Sequence, residues 1–258
     1  MHRFLAMLNA KVLGQGPPLI ILHGLFGTLD NWQTLGKRWA EDYTVFLVDQ
    51  RNHGRSPHYD SHSYPLMAED LAEFMAGEWL HEAVVFGHSM GGKTAMQLAM
   101  HQPDLVKSLI VVDILPKAYP GGHDQIFAAL RSLPIDAITT RQEAEAHLAK
   151  TITEAGIRQF LLKNLSRKKE GGFQWKMNLE VLYRDYHQVL SKIEGPTYEG
   201  PTLFIRGDRS HYITDADWPV TLDLFPEARL ETVADSGHWV HAEQPKALYE
   251  LVEKFLSS

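Results

Sequence analysis

A serine held between two glycines is the first feature of this sequence that could do chemistry. Residues 87–91 read Gly-His-Ser-Met-Gly, and the hydroxyl of Ser89 at their centre is a candidate nucleophile. An apolar run precedes the motif and a helix-forming stretch follows it, so we expect a strand, a sharp turn and a helix. Such a turn leaves little room two residues before and after its apex, which explains both glycines. Serine attacks a carbonyl only when a base takes its proton and a third group orients that base.

His238 is the candidate base among fourteen histidines. It lies in an Asp-Ser-Gly-His-Trp segment at 235–239, after a predicted strand at 229–233 and before a predicted C-terminal helix. Loops that follow parallel strands open at the same sheet edge, and a serine that precedes its histidine is typical of this arrangement. The alternative is a surface-loop histidine without a chemical role. His241, three residues further on, is expected to face away.

The acid that would orient His238 has more than one candidate. Asp113 ends a predicted strand at 106–112, and Asp208 follows a predicted strand at 202–206. A carboxylate at the tip of either strand could reach the imidazole Nδ1, because the two strands are expected to be neighbours. Asp215 and Asp235 are further alternatives, and Asp113 could instead be a helix cap or a solvated strand end.

Two backbone N–H groups are expected to stabilise the oxyanion that forms when Ser89 attacks a carbonyl. Met90, directly after the nucleophile, should supply one of them. The other should come from the His-Gly-Leu-Phe-Gly loop at 23–27, where we favour Leu25, with Phe26 as the next candidate. Without the serine motif, this loop would be read only as a glycine-rich turn between a strand and a helix.

The elements that must position these groups follow from the apolar pattern. Several runs of strand length are almost continuously apolar, which is typical of parallel strands buried on both faces: 18–22, 44–48, 83–86, 106–112 and 202–206. Helical patterns alternate with them, most clearly at 65–79. The pattern predicts an α/β fold with a doubly wound, mostly parallel eight-stranded sheet, including an antiparallel pair within 3–13 at one edge.

The alternation of strands and helices breaks between 114 and 196. Helical patterns fill this segment, at 124–133, 141–151, 156–165 and 178–190, with no convincing strand. We predict a core domain at 1–113 and 197–258, with a helical cap at 114–196 that is inserted after the sixth strand and covers the active site. Four aromatic residues of the cap could line an acyl pocket or form the cap's own core: Phe127, Phe160, Phe173 and Trp175.

Composition excludes several classes of protein and site. The chain has 258 residues, a net charge of −7 and no cysteine. The acidic balance argues against nucleic acid as a partner, and the lack of cysteine excludes disulfides and thiolate chemistry. We find no signal-peptide pattern or membrane-spanning run, and we expect a soluble, cytoplasmic monomer or homodimer without membrane insertion. No metal site is expected.

Four motifs, in this order, resemble those of the α/β-hydrolase superfamily. They are His-Gly-x-x-Gly at 23–27, Asp-x-Arg-x-x-Gly-x-Ser at 49–56, Gly-His-Ser-Met-Gly-Gly at 87–92 and Gly-His-Trp at 237–239. Arg-Asn-His-Gly at 51–54 and Val-Asp-Ile at 112–114 are most similar to bacterial YbfF-type esterases. The resemblance covers essentially the whole chain except the cap. It implies a catalytic triad, hydrolysis of carboxylic esters or thioesters, and no cofactor.

The sequence departs from the superfamily at one position. Many members carry the triad acid three residues after a glycine that ends the seventh strand, and here Gly207 is followed at that distance by Ser210. The YbfF-type resemblance places the acid at Asp113 instead. We therefore favour Asp113 over Asp208.

These residues predict a serine hydrolase that cleaves small-molecule esters or acyl thioesters, including acyl-coenzyme A, through an acyl-enzyme on Ser89. Phe26, Trp175 and Trp239 are the predicted substrate contacts. The basic run at 167–169 is most simply a solvated face, and otherwise a phosphate-binding patch for an acyl carrier. Two alternatives use the same fold. One is a lyase of the menaquinone-pathway type, and the other is a non-catalytic ligand-binding protein, which the serine at the expected acid position would allow.

Overall fold

Nine strands are present in the computed structural model, which describes residues 7–257. In chain order they are β1 (Ala10–Leu13), β2 (Pro18–Leu22), β3 (Thr44–Val48), β4 (Ala83–His88), β5 (Val106–Val112), β6 (Leu165–Arg167), β7 (Phe173–Trp175), β8 (Thr202–Gly207) and β9 (Ala228–Val233). Seven of them form one sheet in the order β1-β3-β2-β4-β5-β8-β9. β1 runs antiparallel to β3, and the other pairs are parallel. The predicted mostly parallel sheet is confirmed.

The described residues account for seven of the eight expected strands. The described residues supply seven strands of the sheet, and the predicted pair at 3–13 is represented by β1 alone. The rest of that predicted pair falls mainly on residues 1–6, which lie outside the described residues. The cap insertion follows β5, the strand at 106–112 after which it was predicted.

Eleven α-helices accompany the strands within residues 7–257. They are α1 (Gln33–Trp39), α2 (Tyr64–Gly77), α3 (Met90–His101), α4 (Asp124–Ser132), α5 (Arg141–Leu148), α6 (Ala155–Leu162), α7 (Leu179–Arg184), α8 (Tyr186–Leu190), α9 (Trp218–Leu224), α10 (Val240–Glu243) and α11 (Pro245–Leu256). No helix in this part of the chain combines the length and the apolar character needed to cross a membrane.

The apolar strands are buried on both faces because helices cover the sheet from both sides. Alternate residues of a strand point to opposite faces, so Ile20 and Leu22 pack with α2 and α3. Leu19 and Ile21 pack with α1 and α11 on the other face. The continuous apolar runs in the sequence are the direct result of this two-sided burial.

The insertion between β5 and β8 contains helices α4 to α8 and a short hairpin of β6 and β7. The expectation that this segment holds no strand is wrong, because strands of three residues are too short to show a period-two pattern. The cap has its own apolar core, in which Phe127 and Phe173 are completely buried, and Phe26 of the sheet-edge loop packs into it. The cap therefore shares apolar surface with the loop that carries the predicted oxyanion donor.

Candidate active site

Ser89 lies at the apex of a strained turn between β4 and α3. Its backbone has φ 54° and ψ −121°, a conformation that residues with a Cβ rarely adopt. A Cβ atom at Gly87 would lie 2.2 Å from the carbonyl oxygen of Gly91. One at Gly91 would lie 2.6 Å from the carbonyl oxygen of Leu22. The steric argument for the two glycines therefore holds at this turn.

His238 and Asp113 lie next to the serine and form a hydrogen-bonded relay with it. The imidazole Nε2 of His238 is 3.0 Å from Ser89 Oγ, and its Nδ1 is 2.7 Å from Asp113 Oδ2. Because an ionised carboxylate only accepts hydrogen bonds, Nδ1 donates to Asp113, and Nε2 is left to accept from the serine hydroxyl. This is the arrangement in which a histidine can remove a serine proton.

The sheet register explains how Ser89 and Asp113 meet. His88, at the end of β4, pairs with Val112, at the end of β5, so the next residue of each strand emerges at the same edge. Asp113 has φ 54° and a completely buried side chain. Its Oδ1 also accepts a hydrogen bond from the Gly207 N–H at 3.3 Å. The carboxylate is thus held in a fixed direction at the tip of β5.

Ser210 also belongs to this network. Its hydroxyl donates to Asp113 Oδ2 and accepts a hydrogen bond from the Tyr212 N–H at 3.2 Å. The Tyr212 ring stacks on the His238 ring, with 4.0 Å between ring centroids and 18° between the ring planes. The sequence analysis missed Tyr212, because a tyrosine in a loop after β8 has no signal of its own.

Two of the other acidic candidates, Asp208 and Asp215, are engaged elsewhere. Asp208 accepts a hydrogen bond from the Ser236 N–H at 3.0 Å, and such backbone donors lower the pKa of its carboxyl group. Asp215 pairs with Arg206 at 2.6 Å. Among the described residues, Asp113 is the acid that bonds to the Nδ1 of His238.

The predicted oxyanion donors are available for a ligand. Neither Leu25 nor Met90 donates a backbone hydrogen bond to any part of the described chain. Met90 is the first residue of α3, where unpaired N–H groups and the helix dipole favour negative charge. The alternative donor, the Phe26 N–H, is already bound to Nε2 of His53 at 3.3 Å. The pair Leu25 and Met90 therefore fits the role better than a pair that includes Phe26.

A model of the α/β-hydrolase fold family matches residues 17–245, which is most of the chain. This protein belongs to the α/β-hydrolase family. The resemblance that the motifs indicated is thus confirmed.

Relatives and solved structures agree with this assignment. The hydrolase is 37% identical over 241 residues to esterase YbfF of Escherichia coli, covering 93% of each chain. It is 40% identical over 250 residues to the sn-1-specific diacylglycerol lipase of the mouse, covering 93% of this chain and 81% of the lipase. The structure of a marine microorganism esterase matches with a TM-score of 0.95 and 43% identity, over 96% of this chain and 99% of that one. The comparisons place this chain among α/β hydrolases of the esterase and lipase type.

Buried histidines surround the relay of this α/β hydrolase. Nε2 of His88 donates to the carbonyl oxygen of His238 at 2.8 Å, which holds the backbone of the base. Burial, reinforced by the neighbouring His238, holds the pKa of His88 well below its usual range. The same two causes lower the pKa of His241 to about 3 and that of His123 to about 4. These three rings are uncharged at neutral pH and add no positive charge beside the base.

A cavity of about 440 Å³ opens above Ser89 between the sheet edge and the cap. Of the predicted substrate contacts, Phe26 and Trp239 line it. Phe160 of α6 lines it as well and lies against Trp239, with 5.8 Å between ring centroids. His241 is also part of the wall, so the expectation that it faces away is wrong. The wall is mainly apolar, which suits an uncharged organic substrate.

Trp175 does not lie in this cavity, which corrects its assignment as a substrate contact. The β6–β7 hairpin carries it to a separate groove of the cap, beside His58 and Asn178. Phe127 and Phe173 belong to the cap core, as the alternative interpretation of the cap aromatics predicted. Of the four aromatics, Phe160 is the one that reaches the cavity.

The basic run at 167–169 lies on the same hairpin and its turn, and it does not contribute to the described wall of the cavity. Lys168 pairs with Asp136 at 2.8 Å, and the Arg167 guanidinium lies over the Phe173 ring. These contacts favour the interpretation of the run as a solvated face. Within residues 7–257 no cluster of three or more histidine or acidic side chains is arranged to hold a metal ion.

Proposed function

We propose that this chain is a serine hydrolase that cleaves carboxylic esters, or acyl thioesters, through an acyl-enzyme on Ser89. The observation that carries the proposal is the relay of Ser89, His238 and Asp113, with distances of 3.0 and 2.7 Å. The esterase and lipase names of its relatives support ester hydrolysis. The same geometry serves thioesters, because both reactions pass through a tetrahedral oxyanion.

The proposed reaction has two halves. His238 takes the proton of Ser89 as Oγ bonds to the substrate carbonyl carbon, and the N–H groups of Leu25 and Met90 stabilise the oxyanion. The intermediate collapses, the bond to the alcohol or thiol breaks, and His238 gives its proton to that leaving group. Water then attacks the acyl-enzyme with His238 as the base, and the carboxylic acid is released. Asp113 stays ionised, maintains the tautomer of His238 and stabilises its protonated form.

The cavity supports a small-molecule substrate. Its volume of about 440 Å³ and its apolar wall suit an acyl group next to the serine. Coenzyme A thioesters lie within this class, although the basic run at 167–169 does not line the cavity and so does not favour them. A cytoplasmic location and a monomeric or homodimeric state remain predictions from the sequence.

Specific observations weigh against the two alternatives on this fold. Ser210 suggested a non-catalytic binding protein, but its hydroxyl donates to Asp113 and so supports the relay. A lyase acting on a polyanionic substrate needs basic groups in its pocket. No arginine is among the described residues that line the cavity, and the lysine that does line it, Lys117, is paired with Asp217 at 2.6 Å. The Lys93 ammonium binds the carbonyl oxygens of Lys117 and Ser191.

The test uses a fluorophosphonate probe together with panels of p-nitrophenyl esters and acyl-coenzyme A thioesters graded by chain length. We expect rapid covalent labelling of the wild-type protein at Ser89 and turnover of at least one series. The Ser89→Ala variant should keep its fold, lose labelling and lose turnover. Normal hydrolysis by Ser89→Ala would exclude the mechanism, and a wild-type protein that neither labels nor turns over substrate would favour a binding protein.

A further inference from the structure

Phe26 has an unusual backbone for a residue with a side chain. Its φ is 60°, in the left-handed region that favours glycine. It is the third residue of a four-residue turn, which is closed by a hydrogen bond from the Gly27 N–H to the Gly24 carbonyl oxygen at 2.9 Å. Leu25, the proposed oxyanion donor, is the second residue of the same turn. Something outside the turn must therefore hold Phe26 in its unfavourable conformation.

Both polar groups of the Phe26 backbone are bound by buried side chains. Its N–H donates to Nε2 of His53 at 3.3 Å, and its carbonyl oxygen accepts from Nδ2 of Asn164 at 2.6 Å. His53 is completely buried and comes from the loop between β3 and α2. Its Nδ1 lies 3.0 Å from the Arg51 carbonyl oxygen and donates to it, which leaves Nε2 as the acceptor for Phe26. Burial holds the pKa of His53 well below its usual range, so the acceptor stays unprotonated.

Asn164 approaches the turn from the cap. It lies between α6 and β6 and is completely buried. Its own carbonyl oxygen accepts a hydrogen bond from the Lys176 N–H at 2.8 Å, so the hairpin holds it in place. Its Oδ1 has no partner in the described chain. Its Nδ2 has two acceptors. The bond to the Phe26 carbonyl oxygen is the short one, because the contact with the Leu161 carbonyl oxygen is 3.4 Å long.

The Phe26 side chain is held by the cap as well. Its ring meets the Phe127 ring edge-on, with 5.0 Å between centroids and 71° between planes. Phe127 is completely buried in the cap core. The carbonyl group and the ring of Phe26 are thus both fixed by cap residues, and only its N–H is fixed by the core.

We propose that Asn164 is a positioning residue: by binding the Phe26 carbonyl oxygen it fixes the 24–27 turn and thereby the direction of the Leu25 N–H. Because Asn164 belongs to the cap, the oxyanion hole is complete only while the cap is docked. The inference rests on the proposed function, since it assigns Leu25 as an oxyanion donor. Without the amide of Asn164, the Phe26 carbonyl is buried and unpaired, and the strained turn relaxes. The Leu25 N–H then loses the fixed direction on which oxyanion stabilisation depends.

Removal of a whole oxyanion donor costs about 10²- to 10³-fold in kcat, and a misdirected donor should cost part of that. We therefore expect Asn164→Leu, which keeps the volume but removes the amide, to lower kcat by about tenfold or more. KM should change by less than about threefold, because the donor acts mainly on the transition state. A trifluoromethyl ketone, whose oxygen occupies the oxyanion hole once Ser89 has added to it, should lose affinity by about the same factor as kcat.

Asn178 offers a matched control in the same cap. Its Nδ2 lies 3.3 Å from Asn52 Oδ1 and 3.3 Å from the Tyr59 carbonyl oxygen, so it also joins the cap to the core. It does not touch the 24–27 turn. Asn178→Ala should lower the unfolding temperature without changing kcat or the inhibition constant of the ketone by more than about twofold. A merely structural role for Asn164 predicts that both variants behave alike.

Active-site titration with the fluorophosphonate expresses kcat per folded site, so partial unfolding of Asn164→Leu does not obscure the result. Asn164→Ala is the second variant, in case leucine fits the site poorly. The inference is wrong if the wild-type protein is active and both Asn164 variants match it in kcat per site and ketone affinity. A wild-type protein that is neither labelled nor active overturns the proposed function, and the inference with it.

Discussion

The Ser210 hydroxyl donates a hydrogen bond to Oδ2 of Asp113, the same carboxylate oxygen that accepts from Nδ1 of His238. The two side chains come from the ends of neighbouring strands, since Val112 of β5 pairs with Ile205 of β8. The position at which many family members carry the acid thus holds a hydroxyl that supports the acid on the adjacent strand. The imidazole of His238 is thus held from the tip of β5 and not from the loop after β8.

Ser210→Ala should lower kcat by about tenfold or more, because a hydrogen bond to a charged group contributes roughly 1.5–3 kcal/mol. KM should change little, since Ser210 does not line the described cavity wall. Steady-state kinetics with one p-nitrophenyl ester measure both values. An unchanged kcat would show that Asp113 keeps its orientation through Gly207 alone.

Asp113→Asn should reduce kcat by about 10⁴, because an amide lets the imidazole adopt the tautomer that cannot take the serine proton. Asp208→Asn is the matched control. Its carboxylate accepts from the Ser236 N–H and does not reach the imidazole, so the variant should keep kcat within a few-fold and lose some stability. If Asp208→Asn alone loses activity, the assignment of the acid is wrong.

Phe160→Ala should raise KM for long acyl chains more than for short ones. Phe160 lines the cavity and contacts the Trp239 ring, so its removal takes apolar surface from the acyl site. Trp175→Ala removes a larger ring that lies in a different groove and should leave the chain-length profile unchanged. Kinetics across the graded ester panel distinguish the two. An equal shift in both variants would mean that Phe160 acts through cap stability.

Lys93 should make the stability of the protein depend on pH. Its side chain is completely buried, and its ammonium binds the carbonyl oxygens of Lys117 and Ser191, which lie where the chain enters and leaves the cap. Burial, together with the positive charge of Lys117, lowers the pKa of Lys93 from 10.5 to about 7. Because the folded-state pKa lies below the unfolded one, folding releases a proton between these values, and stability rises with pH across that window.

Urea unfolding of the wild type and of Lys93→Met at about pH 7 and about pH 9 measures this effect. The free energy of unfolding of the wild type should gain about 2 kcal/mol relative to the variant over that interval. The contributions of groups that titrate in both proteins cancel in the difference between the two free energies of unfolding. Parallel pH dependence of the two proteins would show that Lys93 stays charged at both pH values.

The parts of the site that could be predicted from the sequence depend on local constraints. The glycines around Ser89 follow from the space that a strained turn leaves, and the continuous apolar runs follow from burial of strands on both faces. The order of the strands and helices then brings the loops of Ser89, His238 and Leu25 to one sheet edge. The turn glycines and the apolar runs each involve residues close in sequence, so they leave a pattern that can be recognised in the sequence alone.

The local sequence pattern does not separate Asp113 from Asp208, because both residues follow strands that end at the same edge, and the preference for Asp113 came from the family resemblance. The backbone directions differ: Asp113 turns its carboxylate to His238, and Asp208 turns its own to the Ser236 N–H, which supports the proposal of Asp113. The roles of Tyr212 and Asn164 depend on contacts with residues far away in the chain, such as the 138 positions between Asn164 and Phe26. Trp175 was misplaced for the same reason, since an aromatic residue of the cap has the same local pattern whether it faces the cavity or the outside. The sequence by itself thus determined the fold and indicated Ser89 and His238 as the candidate nucleophile and base, while tertiary packing at the sheet edge and beneath the cap decided which residues hold them in place.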